Sequence, residues 1–223
     1  MRQTVTLLGD YFFYAFSTIS IICFFAVILT PARSFIIADF YQQLDINGRD
    51  RALSAFAEKL TKAGIDSASF SPQLLIRKRN RELLVLSDDT IVASYPVGLG
   101  RSPVGIKLRG NDQKTPEGQY YICKKMEGHR YHLFLQINYP SPDDAKRGSV
   151  QRIIKYSEEA QIEAAWQEMS PPPTNTALGG PLGIHGFGAE TNWTTDGSIG
   201  LHNIHIEELY WNIATGTPVA IIP

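Results

Sequence analysis

Polar and apolar positions alternate along the chain in two different periods. Over residues 47–64, Leu53, Phe56, Ala57, Leu60 and Ala63 fall at helical spacing, with Gly64 placed as a stop. This predicts a helix within a link of residues 35–73. From Leu74 the period becomes two. Leu74–Lys78, Glu82–Leu86 and Thr90–Tyr95 read as strands, with Asp88-Asp89 turning between the second and third. Tyr120–Lys124, His132–Ile137 and Val219–Ile222 continue the strand pattern. Ser157, Glu158 and Glu159 open a predicted helix that runs to about Met169, and Pro171-Pro172-Pro173 ends it. A shorter helix is expected over Ile206–Ile213. The fold class this predicts is mainly β, with one or two packed helices.

The N-terminal part behaves differently. Tyr11 to Thr30 are twenty consecutive residues without a charge, enough for a helix to span a bilayer. The run exceeds the apolar core of a usual signal peptide, and Pro31-Ala32-Arg33-Ser34 is a poor cleavage site. Three segments are therefore expected: a tip and uncleaved transmembrane anchor over 1–34, a helical link over 35–73 and a domain over 74–223.

Composition adds exclusions. The chain has 223 residues, 43% hydrophobic and 19% charged, with a formal net charge of −1. That balance gives no electrostatic footprint for nucleic acid. Nothing in it specifies an oligomeric state. Of the two cysteines, Cys23 lies in the apolar run and Cys123 in a predicted strand, so a disulfide between them is not expected. Cys123 lacks glycine turns around it and reads as a packed core thiol.

Chemistry concentrates late in the chain. Gly183-Ile184-His185-Gly186 places a His in a glycine-rich turn, and thirteen residues on Ser198 follows Asp196-Gly197. Glycine lets backbone approach a ligand closely and adopt positive φ. A base and a nucleophile on two such turns suit acyl transfer. His185 is the candidate base, because His alone has an unperturbed pKa near neutrality. The N–H groups of Gly197 and Ser198 are candidate oxyanion donors. A competing reading gathers His185, Asp196, His202 and His205 as ligands of a Zn²⁺ hydrolase.

The segment resembles the active-site signature of the L,D-transpeptidase (YkuD-like) family, which cross-links or remodels peptidoglycan. That family pairs an Ile-His-Gly turn with a Gly-Cys pair in a Trp-Thr-x-Gly-Cys-Ile-Ala-x-x-Asn run. Here the run is Trp193-Thr194-Thr195-Asp196-Gly197-Ser198-Ile199-Gly200-Leu201-His202-Asn203, with one added residue before the glycine. Gly110-Asn111-Asp112-Gln113-Lys114-Thr115-Pro116-Glu117-Gly118-Gln119-Tyr120 is similar to the family's Gly-Asp-x-Lys/Arg-Thr-Pro-Glu-Gly-x-Tyr loop. Tyr139-Pro140-Ser141-Pro142-Asp143-Asp144 matches its Tyr-Pro-x-x-x-Asp segment. The resemblance covers about residues 74–223 and implies a curved sheet or sandwich. It implies catalytic roles for His185, Ser198, Gly197 and the Gly186 carbonyl, which would orient the imidazole. Tyr131, His132, Trp193 and Asn203 are expected to contact the substrate, a peptidoglycan stem peptide. No cofactor is implied. The domain is expected to face the periplasm or cell wall from an inner-membrane anchor. Ser198 stands where the family has its nucleophilic Cys. A serine-using acyltransferase, a peptide-binding pseudoenzyme and an exchanged or lineage-lost cysteine are the three readings of that position.

Overall fold

The computed structural model describes residues 48–189 and 196–223. The expected membrane span Tyr11–Thr30 lies outside them. Among the described residues, no helix is long and apolar enough to cross a membrane.

The described residues hold eight strands, six of which overlap the predicted period-two runs, while the two shortest fall in the glycine-rich segment that the pattern reads as turns. The eight are β1 (Pro72–Arg77), β2 (Glu82–Ser87), β3 (Thr90–Pro96), β4 (Gly118–His129), β5 (His132–Ile137), β6 (Gly183–His185), β7 (Ile199–Gly200) and β8 (Pro218–Ile222). They form one sheet in the order β3-β2-β1-β8-β4-β5-β6-β7. β8 joins the halves, pairing parallel with β1 and antiparallel with β4. Just beyond β3, Gly98 exchanges both backbone hydrogen bonds with Gly200 of β7, each 2.9 Å. The two ends of the strand order therefore meet, and the core lies inside the curve: Ile76, Leu83, Val85, Leu99, Ile122, Leu135, Ile184, Ile199 and Val219 are all fully buried.

The α-helices among the described residues are α1 (Gly48–Lys62), α2 (Pro142–Val150), α3 (Tyr156–Gln167) and α4 (Asn203–Asn212). α1 lies where helical spacing places it, in the segment read as a link. It packs on α4 and β3 within the same compact unit as the strands. Its buried stripe is Ala52, Phe56 and Leu60. Burying Phe56 alone stabilises by about 1.5–3 kcal/mol. Two glutamates of α4 complete the joint. Arg51 reaches Glu207 at 2.8 Å, while Lys59 and the Tyr95 hydroxyl both donate to Glu208.

α3 differs from expectation at its start. Ser157 does not cap it: the helix begins at Tyr156, and Glu158 accepts from the Lys155 N–H at 2.7 Å. α2 was not foreseen as a helix. Ser141 accepts from the Asp144 N–H, the Asp144 carboxylate accepts from the Ser141 N–H, and Pro142 fills the first turn, where a missing N–H costs nothing.

The long connection between β3 and β4 carries almost no regular structure and is held instead by two buried lysines. Lys78 donates to the Gly105 and Thr115 carbonyls and to Glu117. Burial pulls the Lys78 pKa below its ordinary value, with Glu117 opposing. Lys107 holds the other end, beside the candidate site.

Candidate active site

His185 ends β6 and Ser198 immediately precedes β7. These strands are parallel neighbours, with Ile184 beside Ile199 and His185 beside Gly200. The sequence pattern reads both residues as sitting on turns; the structure gives the His a strand, held on its other side by β5 through Phe134. Ser198 is level with Gly183, whose N–H lies 3.4 Å from the Ser198 Oγ. His185 is two residues further along β6, about 6.6 Å at strand rise, with its side chain on the same face as the Gly183 position.

The imidazole is fixed in three ways. Its Nδ1 lies 2.6 Å from the Gly186 carbonyl, which can only accept, so Nδ1 carries a proton, and in the neutral form of the ring the lone pair is at Nε2. The Tyr131 ring stacks on it at 4.6 Å between centroids and 24° between planes. The Phe134 ring lies 6.3 Å away and nearly parallel. His185 is 1% exposed and Ser198 7%.

Glycines here are a matter of space. A Cβ on Gly186 would collide with the Asn203 Oδ1 and lie 3.0 Å from the Tyr131 carbonyl. That carbonyl accepts the Gly186 N–H at 3.0 Å. Gly197 has φ of +134°, and a Cβ there would run into the Lys114 carbonyl.

The expected substrate contacts divide in the structure. Tyr131 lines a cavity of about 400 Å³ together with Arg130, Phe134, Leu182, Asp196, Ser198 and a Gly179-Gly180-Pro181 wall. Arg130 lies over the Tyr131 ring at 4.7 Å. His132 points elsewhere: its Nε2 meets Glu207 at 2.8 Å, which ties the β4–β5 hairpin to α4. Asn203 braces the His185 turn, its Oδ1 accepting from the Phe187 N–H at 3.0 Å. Trp193 lies outside the described residues. Phe134 and Lys107 flank the site without having been singled out, and in the sequence each looks like an ordinary strand or loop residue.

The metal-centre reading fails on geometry. Among the described residues, no three His, Cys, Asp or Glu side chains gather in a way that would hold an ion. His205 packs its ring on Tyr95 at 4.7 Å, and burial lowers its pKa. Cys123 is also apart from this chemistry. Its Sγ contacts the Gln136 carbonyl, and burial pushes the thiol up to about 11.

The sequence profile of the YkuD family, described as the L,D-transpeptidase catalytic domain, matches residues 71–221. The chain belongs to the YkuD L,D-transpeptidase family. It is 27% identical over 153 residues to the putative L,D-transpeptidase YqjB of Bacillus subtilis, covering 67% of this chain and 70% of that one. Among solved structures, it is similar to an L,D-transpeptidase of Xylanimonas cellulosilytica, with 14% identity and a TM-score of 0.41 over 69% of this chain and 61% of that one. It is also similar to the helical cell shape determining protein Pgp2 of Campylobacter jejuni, with 18% identity and a TM-score of 0.46 over 73% of this chain and 52% of that one. The chain thus spans only half to three fifths of those solved proteins.

Proposed function

We propose that this YkuD domain recognises peptidoglycan stem peptides and transfers an acyl group from them through Ser198, with His185 as the base. The observation that carries this reading is the His185 Nδ1 contact to the Gly186 carbonyl, which presents Nε2 as the acceptor one strand from the Ser198 hydroxyl. The donor is a tetrapeptide stem. Oγ attacks the carbonyl preceding its terminal D-residue while Nε2 takes the hydroxyl proton. The N–H groups of Gly197 and Ser198 face the oxyanion. The C–N bond then breaks, and the D-residue leaves as an amine carrying that proton. An amine of a second stem, or water, attacks the Ser198 ester, gives a proton to His185, and Oγ recovers it as the ester C–O bond breaks. Tyr131 contributes to the peptide-binding wall, with His132 and Asn203 holding the backbone behind it.

One observation favours a second reading, a domain that binds stem peptides without turnover. Ser198 is a hydroxyl in a position the family gives to a thiol. A free thiol of pKa about 8.5 is a few per cent ionised at pH 7, whereas a serine depends wholly on proton removal in the transition state. Stem-peptide turnover and adduct mass, measured in wild type, Ser198→Cys and His185→Ala, decide between them. The acyltransferase reading predicts a Ser198 ester in wild type that is lost in His185→Ala. Binding without an adduct in wild type, with turnover appearing in Ser198→Cys, selects the second reading. Two folded, inactive proteins that bind no peptide would overturn both.

The uncharged run Tyr11–Thr30 supports a membrane-anchored protein with residues 74–223 outside the cytoplasm. Recovery of uncleaved full-length protein in the soluble fraction would refute this.

A further inference from the structure

Lys107 has only 2% of its surface exposed, although it lies in the irregular connection between β3 and β4. A buried ammonium is costly unless it is paired and fully hydrogen-bonded. The Nζ meets Asp112 Oδ1 at 2.8 Å, the Gly110 carbonyl at 3.4 Å and the Asp196 carbonyl at 3.1 Å. The Asp112 carboxylate in turn accepts the Leu108, Arg109 and Lys114 N–H groups, at 2.7, 3.0 and 3.0 Å. Three of the ammonium's contacts thus cover its three protons, and one of them reaches across the chain from loop to nucleophile turn.

The residue it reaches matters. The carbonyl of Asp196 belongs to the peptide unit whose N–H is that of Gly197. That bond is not among the cis peptides of the chain, so its C=O and N–H point in opposite directions. With the oxygen drawn to Lys107, the Gly197 N–H is aimed away from Lys107. Asp196 and Ser198 line the cavity; Lys107 does not. Gly197 has φ of +134°, and a glycine in that region offers little intrinsic resistance to rotation of the peptide plane.

We propose that Lys107 is a positioning residue for acyl transfer: it locks the Asp196–Gly197 peptide plane and polarises it, so that the Gly197 N–H serves as a preformed oxyanion donor. This rests on the acyl-transfer reading for its catalytic consequence, but not for its structural one. The cation adds to the donor through the peptide itself, because a charge-assisted bond to the carbonyl strengthens the N–H of the same amide.

The test compares Lys107→Met with its parent in the full-length protein. Asp-Gly occurs once in the chain, so labelling with ¹³C′-Asp and ¹⁵N-Gly reports the Gly197 amide as a single resonance. Loss of the cation is expected to move that amide proton upfield and to broaden or split its signal. Turnover is measured in whichever parent is active, wild type or Ser198→Cys. There kcat is expected to fall on the order of 10–100-fold, below the loss seen when an oxyanion donor is deleted outright, with KM changed less than about threefold. A folded Lys107→Met whose Gly197 resonance is unmoved, or whose kcat is unchanged, overturns the proposal. If neither parent turns over, the acyl-transfer reading fails while the amide resonance still decides the role of Lys107. Should Lys107→Met not fold, Lys107→Met/Asp112→Asn removes the stranded carboxylate charge, and the same two readouts decide.

Discussion

The Tyr131 ring lies on the imidazole of His185, 4.6 Å between centroids, while the Tyr131 carbonyl accepts the N–H of Gly186 beside it. One residue therefore sets both the plane of the base and the backbone that holds its Nδ1. Tyr131→Phe keeps the stack and the carbonyl, and is expected to leave kcat within about threefold. Tyr131→Ala keeps only the carbonyl, and should lower kcat on the order of tenfold through a loosened ring. Steady-state rates for both variants check this; equal rates would mean that the stack does not orient the base.

Gly186→Ala should destabilise the domain by about 1–3 kcal/mol, the usual range for forcing a group into filled space. The new methyl meets the Asn203 amide and the Tyr131 carbonyl, neither of which is a free end. Denaturant unfolding of the variant measures it. Adding Asn203→Ala should recover part of the loss, because one of the two obstacles is then gone.

Glu207 gives the α1–α4 joint a pH dependence. Burial raises its pKa, but the hydrogen bonds from His132 and Arg51 more than offset this, and the net value lies below the ordinary 4.5. A depressed carboxylate stabilises the fold fully above its unfolded pKa and loses that contribution as pH falls through its folded pKa. Glu207→Gln should therefore cost about 1–3 kcal/mol at pH 7. The gap to wild type should close as pH drops below about 4.5. Melting temperatures of the two proteins between pH 7 and 3 test this; a gap that stays constant would rule it out.

Cys123 should react slowly. With its thiol pushed up to about 11, its thiolate fraction at pH 8 is on the order of a hundredfold below that of an ordinary cysteine. Alkylation followed by peptide mass mapping should label residue 198 of the Ser198→Cys variant well before Cys123. Labelling at equal rates would show that the thiol at 198 is not activated.

The longer strands were legible from residue pattern alone, because Pro72–Arg77 buries alternate positions while Glu82–Ser87 and His132–Ile137 bury most of theirs, and both patterns leave few other choices. The signature around His185 was legible because glycine spacing reflects backbone crowding, which the Cβ collisions at Gly186 and Gly197 make explicit. β6 and β7 were not, since strands of three and two residues carry no period. α2 could have been found: Ser141-Pro142-Asp143-Asp144 is a capping box with proline in its first turn, and it was read only as a family motif. Lys107 and Glu207 had no local signal. Their partners, Asp196 and His132, lie far off in sequence, and only the folded chain shows that each charge is buried against them.

β8 has a consequence for how the domain is made. It lies between β1 and β4, and Leu74 pairs with Val219 across almost the whole domain. Until residues 218–222 have left the ribosome, both of those strands expose a row of unmet N–H and C=O groups, the kind of edge that recruits other chains. Contacts of such long sequence separation also form slowly. The domain should therefore complete its fold only once residues 218–222 are free to pair, as a late docking of β8 between β1 and β4, and nascent chains stalled before Pro218 should remain protease-sensitive. That delay leaves a window in which chaperones, or any machinery that handles unfolded chains, can still act on it.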